Sequence, residues 1–210
     1  MPLTVFVDAN VLVSRCLRDW LVLMALDSEH TAYQMKWSEA VLAEAFYHLR
    51  RKRPDAPEQT IERWRRVLDE AFPEAKVTGF DPASVPQPAD VNDHHVLAAA
   101  YAGEVDILLT ADGDADNFQQ CLDEVDAGID VQHPDDFLCM LAERHPQLVR
   151  RRFMNQIEYI QGRQQTDEDA AADSSLDSLD AAGAKRFSFL LRTDERFRNW
   201  TVETITIRDS

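Results

Sequence analysis

The sequence predicts a three-layer α/β fold with a central parallel sheet, followed by a mainly helical C-terminal extension. Two short apolar runs, Leu3-Thr4-Val5-Phe6-Val7 and Asp106-Ile107-Leu108-Leu109-Thr110-Ala111, read as strands buried on both faces. Longer stretches of helical periodicity alternate with such runs, which is the pattern of helices covering a parallel sheet. At 210 residues the chain can bury a full core in one domain of ordinary size and still carry an appendage.

In chain order, Leu3–Val7 is the first strand, ended by Asp8 and Asn10. A helical segment through Asp27 follows, carrying Leu12, Leu17, Leu21, Leu23 and Leu26. Thr31–Trp37 reads as a more polar strand, and Ser38 as the N-cap of a helix from Glu39 towards Arg53. Another helix is expected from about Pro57 to Phe72, with Pro at its start and just past its end. Val77–Phe80 is a short strand candidate and the Pro-rich Asp81–Pro88 a loop. Asp90–Asp93 opens a helix to Ala102 that Gly103 stops. The strand around Asp106–Thr110, a short strand at Ile129–Val131 and a helix over Pro134–Arg144 complete a domain spanning residues 1–145. Residues 146–210 form the extension: a helix over Gln147–Gly162, a mobile acidic linker near 164–175, a helical pattern over Leu176–Leu191, and some alternation over Trp200–Ile207.

The formal net charge of −16 argues against a protein that coats DNA through a positive field. It leaves room for a nucleic-acid enzyme whose metals and local basic patch offset the field at the substrate. Three widely spaced cysteines, Cys16, Cys121 and Cys139, make neither a disulfide framework nor a zinc-ligand spacing. With no signal-peptide pattern and no membrane-spanning run, the expectation is a soluble cytoplasmic protein.

Four acids, Asp8, Glu44, Asp93 and Asp112, fall where this strand–helix alternation brings them to one edge of the sheet. Acids at the carboxyl ends of buried strands face the crevice where open α/β sheets bind ligands. Carboxylates gathered there stay ionised only with a cation to offset their repulsion, so the pattern predicts a metal site. Each acid also has an ordinary structural reading. Asp93 heads a stripe of Val96, Leu97 and Ala100, but Asp and Asn92 are both natural helix caps. Glu44 flanks the stripe of Val41, Leu42, Ala45, Phe46 and Leu49, where a solvated Glu is common. Asp8, just past a fully apolar strand, has little purpose unless it accepts hydrogen bonds or binds an ion. His94 and His95 point away from the face of Asp93, which fits surface or supporting roles better than ligation.

Phe6-Val7-Asp8-Ala9-Asn10-Val11-Leu12, Ser38 with Glu44, Asp93-His94-His95-Val96-Leu97-Ala98-Ala99-Ala100 and Leu109-Thr110-Ala111-Asp112 together resemble the signature segments of PIN-domain ribonucleases over roughly residues 1 to 145. The resemblance implies that Asp8, Glu44, Asp93 and Asp112 hold one or two Mg²⁺ or Mn²⁺ ions for hydrolysis of RNA phosphodiesters. Hard cations of this kind prefer carboxylate and water oxygens. Relatives vary in the position of the fourth acid. Asp112 is favoured here, Asp116 is its main rival, and Asp114 lies between them. Thr110 is expected to orient an acid or a phosphate through its hydroxyl, and Asn10 to support Asp8 next to the substrate. A chain of this kind without other enzyme modules looks like the toxin half of a bacterial VapBC-type toxin–antitoxin pair, which implies a cognate antitoxin and a homodimer.

Two basic runs stand out against the acidic whole. Arg50-Arg51-Lys52-Arg53, with Arg63, Arg65 and Arg66, offers a phosphate-tracking surface in which Arg51 and Arg53 are the candidates for contact with RNA. The same residues also suit a helix C-terminus. Arg150-Arg151-Arg152 carries the same ambiguity. Trp20, Trp37, Trp64 and Trp200 read mostly as core or interface. Two other functions fit the fold class: a phosphatase-like enzyme with Asp8 as covalent nucleophile, and a non-catalytic interaction module. The first lacks the second Asp that such enzymes place two residues on, where this chain has Asn10.

Overall fold

The computed structural model describes residues 2–27, 32–54, 58–111, 113 and 115–198. Its centre is a five-stranded parallel sheet of β1 (Leu3–Val7), β2 (Tyr33–Ser38), β3 (Lys76–Val77), β4 (Ile107–Leu109) and β5 (Asp130–Gln132), in the order β3-β2-β1-β4-β5. Val5 faces Met35 on one side and Ile107 on the other, which makes β1 the central strand. Val5, Phe6 and Val7 are all fully buried, as a continuous apolar run in a doubly covered strand requires.

The order of strands decides where ligands bind. From β1 the chain winds outward through β2 to β3, then returns to the other side of β1 for β4 and β5. That reversal of direction makes the carboxyl ends of β1 and β4 the topological switch point, where open α/β sheets bind ligands. Asp8 follows β1 and Thr110 follows β4. The Asp8 amide donates to the Leu109 carbonyl at 3.0 Å, so both residues stand at that switch point.

The flanking helices are α1 (Ala9–Val13), α2 (Arg15–Ala25), α3 (Glu39–Lys52), α4 (Glu58–Ala71), α5 (His94–Ala102), α6 (Ala115–Glu124) and α7 (Pro134–Arg144). The helix expected through Asp27 is two helices. Ser14 leaves the helical region and accepts from the Leu17 amide at 3.4 Å, capping α2 as α1 ends. Helix α5 is buried all round from Val96 to Ala100, so its apolar residues are more than the one stripe the periodicity indicates. Gly103 does not stop it through a left-handed turn, because its φ is −78° and the positive φ belongs to Glu104. Glycine is required for closeness: a Cβ at 103 would lie 3.0 Å from a Val77 methyl and 3.1 Å from the Ala99 carbonyl. The strand expected over Val77–Phe80 is only the pair Lys76–Val77, since Gly79, at φ +73°, turns the chain away.

The extension continues as α8 (Pro146–Gln164), α9 (Glu168–Ala181), α10 (Lys185–Thr193) and α11 (Glu195–Arg198). The acidic stretch near 164–175 is not a linker. Asp167 caps α9 through the Ala170 amide at 2.8 Å, and Ala171, Ala172 and Ser175 are buried. Small residues there let helices approach closely, so a composition poor in large apolar groups still packs. The alternation over Trp200–Ile207 and the start of the second strand at Thr31 lie outside the described residues. So does Pro57, the expected start of α4. Trp20 joins extension to domain, meeting Phe187 edge-on at 5.1 Å and Phe153 at 6.2 Å. The three cysteines are unpaired. Among the described residues no helix is long and apolar enough to cross a membrane.

Candidate active site

Local sequence places each acid. Asp8 ends β1 and is the N-cap of α1, only 4% exposed. One carboxylate oxygen accepts from the Ala9 amide at 2.6 Å. The other accepts from the Thr110 hydroxyl at 2.9 Å and the Asn10 amide nitrogen at 2.7 Å. Asn10 Nδ2 also reaches the Thr110 hydroxyl oxygen at 3.0 Å, while its Oδ1 accepts from the Ala111 amide at 3.0 Å. These bonds clamp the ends of β1 and β4 together around one carboxylate. Thr110, buried to 1% exposure, therefore serves an acid, and Asn10 supports Asp8 as expected.

Hydrogen bonds of this number ordinarily lower an acid's pKa, yet Asp8 is raised from 3.8 to about 7. Burial is the main cause; the negative charges of Asp93 and Glu44 push in the same direction against the Thr110 and Ala9 hydrogen bonds. The structure thus brings three of the expected acids into one field. Ser38, wholly buried, passes β2 directly into α3 by accepting from the Val41 amide at 3.2 Å, which fixes where Glu44 emerges. Asp93 stands at the N-terminal end of α5, and its side chain makes no capping bond. Asp90 caps the short turn Val91–Asp93 that leads into α5, accepting from the Asn92 amide at 2.9 Å. The capping reading of Asp93 is thereby excluded.

Asp112 and Asp114 lie outside the described residues. Asp116 is exposed in the first turn of α6, and the neighbouring Asn117 accepts from the Ala89 amide at 2.7 Å. Among the described residues, no three carboxylate, imidazole or thiol side chains converge closely enough to hold an ion directly.

Two histidines bracket Glu44. His48 Nε2 lies 3.5 Å from one carboxylate oxygen and His95 Nε2 3.5 Å from the other. His95 Nδ1 sits 2.6 Å from the Asn92 carbonyl, which requires the proton on that nitrogen and aims Nε2 at Glu44. The role of His48 is readable from its spacing of one helical turn after Glu44. That of His95 needs the packing of α5 near α3.

Of the basic runs, Arg50, Arg51, Lys52 and Arg53 are all exposed at the end of α3, with the Arg51 guanidinium 5.8 Å over the Tyr47 ring. Arg65 and Lys76 are engaged with Glu39 and hold its carboxyl below the usual range. The run at 150–152 is no surface patch. Arg151 grips Asp27 through two bonds of 3.0 and 2.9 Å, and Arg152 is buried.

A family model described as the PIN domain matches residues 4–114, just over half of the chain. Among curated proteins and solved structures, none matches. The matched segment contains Asp8, Glu44, Asp93 and the β1–β4 switch point.

Proposed function

The chain belongs to the PIN-domain family, whose members are generally nucleases, and on that premise we propose that it is a divalent-metal-dependent endoribonuclease. The observation that carries the proposal is Asp8: an acid at the switch point, held in place by three neighbouring groups and raised chiefly by burial, with two further acids adding to it. Such a site is costly without a cation and favourable with one.

The all-oxygen donor set of Asp8, Asp93 and Glu44 fits Mg²⁺ or Mn²⁺. Mg²⁺ keeps several waters and takes one or two carboxylates together with substrate phosphates, so a ready-made three-ligand cage is not required. Asp8, Asp93 and Glu44 would hold the ion, which would supply Lewis acidity towards water and phosphodiester there. Asp8 anchors the site, Asn10 and Thr110 fix its carboxylate, and an acid from the stretch 112–116 completes the set. His48, and His95 when its ring carries both protons, can orient Glu44. Arg51 and Arg53 give an acidic protein the positive surface on which an RNA backbone can lie. Asn10, held against Asp8, Thr110 and Ala111, is a carboxamide that cannot exchange a proton, so a phosphatase mechanism has no acid/base two residues after Asp8. We assign the chain to the toxin side of a toxin–antitoxin pair on its resemblance to VapBC-type toxins, with an antitoxin that places a basic residue in this acidic crevice.

The test is cleavage of a panel of structured and single-stranded RNAs with Mg²⁺ or Mn²⁺, with EDTA, and by Asp8→Asn and Asp93→Asn. Cleavage that requires the ion and disappears in both variants is expected. Undiminished cleavage by both refutes the site.

A further inference from the structure

A second concentration of like charge lies away from the carboxylates, at the seam between domain and extension. Helices α2, α8 and α9 enclose a cavity of about 650 Å³, within the size range of small-molecule sites. Three of its lining side chains are the guanidiniums of Arg15, Arg152 and Arg163, against the single carboxylate of Asp19. In a chain of net charge −16 this local excess of positive charge runs against the whole.

Arg152 is the informative member. It is 8% exposed, and its Nε is buried with no hydrogen-bond partner. One terminal nitrogen donates to Gln156 Oε1 at 2.7 Å, and the guanidinium lies 5.4 Å over the Trp20 ring. A buried cation normally has its donors satisfied, because each unsatisfied one carries the full cost of desolvation. Arg15 reaches Asp19 at 3.5 Å, Arg163 donates to the Tyr159 hydroxyl at 3.0 Å, and Arg15 bonds the same hydroxyl, so of the three Arg152 alone holds a buried donor without an acceptor. Cys16, beside them, does not supply the missing anion: burial raises its thiol to about 11. The contrast with Arg151, one residue away and held by both oxygens of Asp27, shows what a purely structural arginine looks like here.

We propose that this cavity binds a nucleoside monophosphate. Guanidinium forks match the geometry of a phosphate, and three of them suit the dianion of a monoester. The remaining surface is not that of a bare anion hole. Leu23 and Ile160 form apolar wall, and the half-exposed Tyr159 ring beside the Arg163 plane offers a stacking surface for a base. Gln156 and Gln164 place amides where base edges or ribose hydroxyls can be read. The inference is independent of the nuclease reading, because none of these residues belongs to the carboxylate site.

Isothermal titration calorimetry of the full chain in EDTA tests it, with AMP, CMP, GMP and UMP as probes and adenosine and inorganic phosphate as controls. One site per chain is expected, with at least one nucleotide binding about tenfold or more tighter than either control. Arg15→Ala and Arg163→Ala, both at exposed positions, should each weaken it by about tenfold while leaving the circular dichroism spectrum intact. Absence of binding by all four nucleotides overturns the proposal. So does affinity no better than that of inorganic phosphate, which marks an adventitious ion only, or binding unchanged in both arginine variants.

Discussion

Two aspartates in this molecule are almost equally buried, Asp8 at 4% and Asp135 at 7% exposure, and their surroundings differ in kind. Asp135 caps a helix from outside: its oxygens accept from the Arg186 and Phe187 amides at 3.0 and 2.8 Å, in the first turn of α10. The N-cap position of that helix is Ala184, whose side chain cannot cap it, so Asp135 on α7 satisfies backbone donors that would otherwise be orphaned. The neighbouring Arg186 also pairs with Asp136. Asp8 accepts at least as many hydrogen bonds but lies in the field of two other acids. A buried acid in a structural role is surrounded by donors and a cation. A buried acid in the field of two further acids is an arrangement that folding alone does not favour, and a bound cation would relieve it.

Replacement separates the two. Asp8→Asn is expected to lower RNA cleavage by more than the roughly 10–100-fold that loss of an outer-shell partner costs a metal site, and Thr110→Val by about that range. Single-turnover cleavage assays at saturating Mg²⁺ measure both; full activity in Asp8→Asn breaks the comparison.

The next effect is on stability and carries a definite sign. Asp8 is raised in the folded chain from 3.8 to about 7, so between those values the folded state binds more protons than the unfolded state. Stability of the metal-free protein therefore falls from this group as pH rises from about 4 to 7, by up to about 4 kcal/mol in full. Asp8→Asn removes the loss, and denaturant unfolding at pH 8 in EDTA should find the variant more stable than wild type. Mg²⁺ should stabilise wild type at pH 8 and not the variant.

Asp135→Ala should act oppositely, destabilising by about 2–3 kcal/mol because two amides at the start of α10 lose their acceptor. The same unfolding measurement reads it, and an unchanged midpoint would show that water caps α10 equally well. Smallest are the effects at the basic end of α3. Arg51→Ala and Arg53→Ala should each reduce the salt slope of RNA binding by about 1 if both contact phosphates. An unchanged slope in filter-binding assays from low to moderate salt leaves that run as helix-end electrostatics.

Much of this was legible in the sequence where local rules act directly. Ser38 as a cap, the β1 and β4 runs, and the helix over Pro134–Arg144 each follow from a few adjacent residues. Asp8 stood out because an acid just past an apolar strand has little purpose unless it accepts hydrogen bonds, as it does at the start of α1, or binds an ion. What local rules miss are consequences of close approach. Gly103 matters for its lack of a side chain beside Val77 and Ala99, not for its backbone freedom. The acidic, alanine-rich 168–181 segment packs because its small residues fit between helices. Arg151 and Arg152 look like one basic run with Arg150, but helical rotation sends one to Asp27 and buries the other against Trp20. His95 meets Glu44 only through the fold, whereas His48 was within reach of helix spacing.

The central claim is that Asp8 is an acid waiting for a cation, and its own titration tests that most directly. Carbon-detected NMR of the Asp8 carboxyl across pH 4–9, in EDTA and in Mg²⁺, should give a midpoint of about 7 without the ion and a clear fall with it. An ordinary carboxylate midpoint near 4 that Mg²⁺ leaves unmoved would contradict the account.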